Sequence, residues 1–218
     1  VLSRYVDCIV ARVFSHDTLV ELARNATVSV INALSDREHP CQALADFLTI
    51  RELKGGFKGV RLAYVGDGNN VARSLALLAA MLGVDFAIAS PAGYELDGAA
   101  EGEARRLASA SGGRFERTRD PREAVDGADA VYTDTWTSMG QESEAAVRRE
   151  TFSAYQVNTA LMSLARPDAV FMHCLPAHHG EEVTAEVLNG DSSVVFDQAE
   201  NRLHVQKAIL AQILIPAD

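Results

Sequence analysis

The 218-residue sequence contains only three cysteines, one tryptophan and six prolines. Cys8, Cys41 and Cys174 cannot all pair and no C-x-x-C spacing occurs, so no disulfide scaffold and no structural zinc is expected, and the expected location is a reducing cytoplasm. The longest apolar run, residues 75–82, falls far short of the roughly 20 residues of a membrane span. Positive charge is also scarce. Lys and Arg number 20 against 30 Asp and Glu, giving a net charge of -10 with no basic patch, which argues against sequence-independent nucleic-acid binding because the phosphate backbone is repelled. There is no internal repeat or low-complexity tract, which excludes solenoid and linker readings. The opening residues 1–7 start with Val1, carry no targeting signal and read as the tail of an amphipathic helix without its N-cap. A fragment or processed piece is the expectation.

What is present is a globular balance of 48% hydrophobic and 23% charged residues. Short β-branched runs alternate with longer stretches of helical period, the pattern of an α/β fold with a mostly parallel sheet. Strands are predicted at 8–14, 29–34, 61–66, 85–89, 130–134, 169–174 and 193–196, with a weaker one at 114–118. Helices are predicted at 17–25, 40–54, 70–82, 99–111, 121–125, 144–153, 160–164, 184–188 and 202–214. Gly55-Gly56-Phe57-Lys58-Gly59 marks a boundary, since three glycines in five residues end one helix before a new strand opens. The segment before it has two strands and buries too little to fold well alone, so its partner strands are expected upstream of Val1.

Ligands of open parallel sheets bind beyond the carboxyl ends of the strands. Four such ends are unusual. After 29–34, Pro40 suits the first helical position, which places His39 at the cap and Gln42 one turn in; both tips then face the positive end of the helix, where a carbonyl can be polarised or an anion held. The plainer reading has His39 capping and Gln42 in solvent. After 61–66, Gly66-Asp67-Gly68-Asn69-Asn70-Val71 lacks the third glycine of a dinucleotide fingerprint, and no ribose-binding acid follows the next strand, so no nicotinamide cofactor is expected. One asparagine serves as cap and the other is free for a ligand.

After 130–134, Asp134-Thr135-Trp136-Thr137-Ser138-Met139-Gly140 forms a loop suited to hold an amino group and to move over a site. Capping by Asp134 and packing by Trp136 and Met139 are the structural alternatives. After 169–174, His173-Cys174-Leu175-Pro176-Ala177-His178-His179 carries a thiol open to three readings, as nucleophile, metal ligand or core residue. Neighbouring strand residues face opposite ways, so His173 is a poor base for Cys174, and the Cys/His spacing matches no standard zinc pattern. Arg202, read as lying at the start of the last helix, is electrostatically disfavoured there and calls for an anionic partner.

His39-Pro40-Cys41-Gln42, the Gly66–Asn70 turn, the Asp134–Gly140 loop, His173-Cys174-Leu175-Pro176 and Glu200-Asn201-Arg202, in this order, resemble the ornithine carbamoyltransferases of the aspartate/ornithine carbamoyltransferase superfamily. The S-M-G and H-C-L-P segments resemble the ornithine enzymes; aspartate enzymes carry H-P-L-P and lack S-M-G. The resemblance implies two Rossmann-like parallel-sheet domains, the first incomplete here. Residues 1–54 would be the remnant of a carbamoyl-phosphate domain, 55–198 the ornithine domain, and 199–218 a helix returning to the first. It implies that Arg12, His39 and Gln42 hold carbamoyl phosphate, that Asn70, Asp134, Ser138 and the Met139 backbone bind the amino-acid end of ornithine, and that Cys174, the Leu175 carbonyl and Arg202 surround the reacting groups. Cys174, Arg202 and His39 are the catalytic candidates, with a cis Leu175-Pro176 bond, no cofactor or metal, small-molecule substrates and no nucleic-acid or membrane partner. A cytoplasmic homotrimer in arginine biosynthesis is the implied setting.

One element of the family pattern has no counterpart in this sequence. The S-x-R-T-R phosphate loop is missing and is expected upstream of Val1, so weak carbamoyl phosphate binding is expected. The alternatives are a non-catalytic amino-acid-binding fragment, a carbamoyltransferase acting on an ornithine derivative, and a nicotinamide oxidoreductase resting on Gly66-x-Gly68 alone.

Overall fold

A computed structural model describes residues 1–138 and 140–215. Strand β1 (Cys8–Arg12), helix α1 (His16–Asn25) and strand β2 (Ser29–Leu34) form a βαβ unit whose two strands pair in parallel. Helix α2 (Pro40–Lys54) follows; Pro40 sits in its first turn, and Gly55 at φ 73 supplies the left-handed residue that ends it.

The chain then builds β3 (Arg61–Val65), α3 (Asn70–Leu82), β4 (Asp85–Ala89), α4 (Gly98–Ser111), β5 (Phe115–Thr118), α5 (Pro121–Val125), β6 (Ala130–Thr133), α6 (Ala145–Phe152), α7 (Thr159–Met162), β7 (Val170–His173), α8 (Ala185–Leu188) and α9 (Val195–Leu214). The five strands from β3 to β7 form a parallel sheet in the order β5-β4-β3-β6-β7. The chain winds outward from β3 to β5, then returns to add β6 and β7 on the other side. The direction reverses between β3 and β6, and a crevice opens at their carboxyl ends.

Both faces of this sheet are buried, so its strands read as continuous apolar runs. Alternate residues serve the two sides: Leu62 and Tyr64 pack with Leu75, Phe86 and Ile88, while Ala63 and Val65 pack with Val131, Phe171 and Val183.

The strand expected at 193–196 is absent. Ser193 makes one isolated bridge to Phe171, and helix α9 already begins at Val195, so a division at residue 199 falls inside that helix. The β-branched Val194-Val195 pair imitates a strand, while the side of the helix facing inward is polar and hides the helical period: Gln198 and Asn201 are buried. Arg202 therefore sits about two turns into α9, away from the positive helix end, and the electrostatic argument for its anionic partner does not hold.

The polar side of α9 packs on α2. Gln198 Nε2 donates to Asp46 Oδ1 at 2.7 Å, and Asn201 Nδ2 donates to Thr49 Oγ1 at 2.9 Å and Glu52 Oε2 at 2.8 Å. Asp46 Oδ1 also accepts from Gln42 Nε2 at 2.8 Å, while its Oδ2 is buried without a partner. Burial raises the Asp46 carboxyl to about 7, against the opposing hydrogen bonds from Gln42 and Gln198.

The folded state thus holds a proton that the unfolded chain releases near its ordinary value of 3.8, so stability contributed by neutral Asp46 is lost as pH rises from about 4 to about 7. Asp46→Asn keeps an oxygen acceptor and removes the titration. Its unfolding free energy relative to the parent is expected to rise between pH 4 and pH 8 by on the order of 3 kcal/mol, read by urea denaturation at both pH values. A difference independent of pH contradicts this.

Candidate active site

The glycine turn after β3 brings the chain back sharply enough to start α3 at the crevice. Gly68 has no room for a side chain, because a Cβ there would stand 2.3 Å from the Leu96 backbone nitrogen. Asn69 caps α3, its Oδ1 accepting from the Val71 and Ala72 amides at 3.0 and 3.1 Å. The same side chain spans the switch point: its Nδ2 donates to Asp134 Oδ2 at 2.7 Å, just past the end of β6. Asn70 is not free as expected, since its Nδ2 donates to the Ser35 carbonyl at 2.7 Å and ties α3 to the loop after β2.

A cleft of about 1000 Å³ lies above this point. Its lining includes Arg12, His39, Gln42, Asn70, Asp134, Ser138, Cys174, Leu175 and Arg202, so residues from both sheets and from α9 converge on one space. Met139 lies outside the described residues. A second hollow of about 600 Å³, between α5 and α7, is lined by none of these residues.

On one wall, His39 precedes α2 but makes no side-chain capping bond, and Gln42 is buried, so the capping-and-solvent reading of this pair fails. Gln42 donates to Asp46 and presents Oε1 to Arg202 Nη1 at 2.5 Å. Burial lowers His39 to about 4, and the nearby cations Arg202 and Arg12 push the same way, so the ring is neutral at pH 7. It offers hydrogen bonding without charge.

On the other wall, Asp134 Oδ1 accepts from the Thr135 amide at 2.7 Å and from Cys174 Sγ at 3.0 Å. Burial, together with the Asp134 charge and this hydrogen bond, raises the Cys174 thiol well above its ordinary value, so the sulfur stays protonated as a donor. Leu175, at φ 56, precedes Pro176 through a cis bond, as expected. His173 points away from Cys174, its Nδ1 accepting the Leu175 amide at 2.8 Å.

The loop after Asp134 crosses the cleft. A Cβ on Gly140 would lie 3.4 Å from the Phe14 ring, which belongs to the first βαβ unit. Trp136 is a packing residue, buried and stacked on Phe152. Arg148 of α6 escaped the sequence reading. It is buried, donates to Asp67 Oδ2 at 2.7 Å, to the Trp136 carbonyl at 2.9 Å and to Glu144 Oε2 at 3.2 Å, and lies over the Tyr94 ring. The one available signal was the i, i+4 spacing of Glu144, Arg148 and Phe152 along one helix stripe.

The description of the aspartate/ornithine carbamoyltransferase carbamoyl-P binding domain matches residues 1–52, and that of the Asp/Orn binding domain matches residues 58–213. The chain belongs to the aspartate/ornithine carbamoyltransferase family. It is 59% identical to the ornithine carbamoyltransferase of Acidothermus cellulolyticus, over 98% of this chain and 69% of that protein. It is 58% identical to the anabolic ornithine carbamoyltransferase of Pyrococcus furiosus, over 98% of this chain and 68% of the relative. A solved structure of the Pyrococcus furiosus enzyme matches with a TM-score of 0.96 at 56% identity, covering all of this chain and 69% of that one. The Gloeobacter violaceus enzyme gives 0.92 at 48% identity, covering 98% and 72%. In this carbamoyltransferase chain the cleft is lined by residues from both matched regions: Arg12, His39 and Gln42 from the first, and Asn70, Asp134, Ser138, Cys174, Leu175 and Arg202 from the second.

Burial is the main cause of the raised Cys174 thiol pKa, and Asp134→Asn removes the charge that adds to it. The midpoint of the pH profile for iodoacetamide alkylation of Cys174, followed by peptide mass spectrometry, is expected to fall by roughly one unit or more. An unchanged midpoint contradicts the assigned contact.

Proposed function

We propose that this chain acts in the transfer of a carbamoyl group from carbamoyl phosphate to the side-chain amine of L-ornithine, giving L-citrulline and phosphate. The observation that carries the reading is the two-walled cleft, with Arg12, His39, Gln42 and Arg202 on one side and Asn70, Asp134, Ser138, Cys174 and Leu175 on the other. We assign carbamoyl phosphate to the first wall and the amino acid to the second. Residues 1–54 are read as the carbamoyl-phosphate segment and the region from 55 up to α9 as the ornithine domain, with α9 (Val195–Leu214) as the returning helix in place of a division at 199. A homotrimer in the cytoplasm, serving arginine biosynthesis, is the wider setting this reading adopts, in keeping with the anabolic name of the Pyrococcus furiosus relative.

The chemistry follows from the groups. An alkylamine with a pKa of about 10.4 is protonated at pH 7 and must lose a proton to attack. Asp134 is the anionic partner for the amino-acid end of ornithine, and the protonated Cys174 thiol beside it, with the Leu175 carbonyl, orients the side-chain amine without forming a covalent bond to the substrate. The neutral amine nitrogen attacks the carbamoyl carbon, the carbon–oxygen bond to phosphate breaks, and phosphate departs carrying the proton that the nitrogen sheds on forming the new carbon–nitrogen bond. Arg12, neutral His39 and Arg202 lie on the wall where negative charge develops on the carbonyl oxygen, an arrangement typically worth several kcal/mol.

A second reading, an amino-acid-binding module with little turnover, draws support from the cations. The arginines lining the cleft are Arg12, Arg148 and Arg202; Arg148 is paired with Asp67, and Arg202 is engaged with Gln42. Of these three cleft arginines, Arg12 alone has no ion pair or side-chain hydrogen bond among the described residues and is left to grip a dianionic phosphate.

A citrulline-forming assay on the chain separates the two. Turnover is expected, with Arg12→Leu lowering kcat/KM by roughly 100-fold and Asp134→Asn weakening ornithine by at least roughly tenfold through loss of a charged partner. Ornithine binding by calorimetry without citrulline would establish the module instead. A carbamoylated Cys174 found by mass spectrometry would overturn the non-covalent role.

A further inference from the structure

His173, His178 and Glu182 are chemically conspicuous, yet the proposed reaction uses none of them. His173 and Glu182 are both fully buried, at 0% exposure, behind the loop that carries Cys174 and Leu175. They are also not ligands to a metal, because no group of three His, Cys, Asp or Glu side chains among the described residues is placed to hold one.

Their geometry describes a clasp. Glu182 Oε1 lies 3.3 Å from His173 Nε2, just before Cys174, and accepts the backbone N–H of His178 at 2.6 Å, just after Ala177. One carboxylate oxygen therefore meets both ends of the segment that contains Cys174, Leu175 and the cis bond to Pro176. The mount is rigid, since Val157 N–H donates to the Glu182 carbonyl at 2.9 Å and Val157 bridges Val183. The other side of the ring is equally constrained, because Nδ1 accepts the Leu175 amide at 2.8 Å while the His173 amide donates to Gln198 Oε1 at 3.0 Å.

These contacts fix the proton. A ring nitrogen that accepts an N–H carries no hydrogen of its own, so the neutral imidazole bears its proton on Nε2, facing Glu182. Glu182 favours this arrangement by remaining a carboxylate: burial alone would raise its pKa, but the His173 ring 3.3 Å away and the hydrogen bond from the His178 amide outweigh that and hold it below the usual value. Placing the proton on Nδ1 would turn acceptor into donor and expel the Leu175 N–H.

We propose that Glu182 and His173 are positioning residues for the ornithine wall: the carboxylate sets the Nε2–H tautomer of the ring, and the ring in turn holds the Leu175 backbone beside Cys174. The inference rests on the reading that Cys174 and Leu175 face the reacting amine. Neither residue touches substrate, so both act through the loop.

Three readouts on the full chain test it. Long-range nitrogen–proton NMR at pH 7.5 is expected to show His173 as the Nε2–H tautomer, and needs no variant. Glu182→Gln, whose amide can donate to Nε2 and reverse the tautomer, is expected to speed hydrogen exchange of the Leu175 amide and to weaken ornithine binding, each by roughly tenfold or more. His173→Asn places a side-chain oxygen where Nδ1 stands, and is expected to keep Leu175 exchange near the parent value, whereas His173→Phe loses the protection. An Nδ1–H tautomer or imidazolium in the parent chain overturns the proposal, as does unchanged Leu175 exchange in a folded Glu182→Gln. If Glu182→Gln does not fold, the tautomer of the parent decides. Failure of the parent to bind ornithine, with the tautomer and exchange as expected, counts against the functional reading and leaves the clasp standing.

Discussion

The packing of α9 against α2, centred on the buried Asp46 carboxyl, is the constraint on which the cleft depends. One wall follows the two-stranded sheet and the other belongs to the five-stranded sheet, and these residues are far apart in sequence. Asp46 receives Gln42 from its own helix and Gln198 from α9, while Gln198 also accepts the backbone N–H of His173 at the end of β7. The same contact places Arg202 against Gln42. A chain of hydrogen bonds thus runs from the wall that holds Gln42, through the helix pair, to the strand that presents Cys174. Buried polar groups are costly when unpaired, so this arrangement favours one relative placement of the two walls over many loosely packed ones.

Charge is partitioned within the cleft to suit a transfer between an anion and a cation. His39 is neutral and Arg12 and Arg202 are positive on one side; Asp134 is the anionic centre on the other, next to a thiol kept protonated. Under the proposed function a protonated amine is drawn to the second wall and a developing oxyanion to the first. Asn69 joins the arrangement to the scaffold by capping α3 and bonding Asp134, so the switch point of the sheet and the anionic centre form one unit.

The strand ends that carry the site were legible because turn and cap chemistry is local. Pro40, the glycines around residue 66, and the acids and prolines after β6 and β7 each declare themselves within a few residues. The start of α9 was not legible. Its inward positions are Gln198 and Asn201, which a periodicity argument assigns to solvent, and Val194-Val195 mimics a strand. Arg148 was missed for the same reason: a charged residue on a short helix reads as surface until its partner Asp67, distant in sequence, is seen beneath it. The roles of His173 and Glu182 were hidden differently, since a tautomer is set by partners on both sides of a ring and spacing conveys neither. Polar residues whose partners are remote in sequence were where pattern reading stopped.

The central claim is that one cleft holds two substrates on opposite walls, and amide and side-chain NMR shift mapping with each ligand added separately addresses it most directly. Ornithine is expected to move resonances of Asn70, Asp134, Ser138 and Cys174, carbamoyl phosphate those of Arg12, His39 and Gln42, and either ligand those of Arg202. Shifts from both ligands gathered at the α5–α7 hollow, or on a single wall, would contradict it.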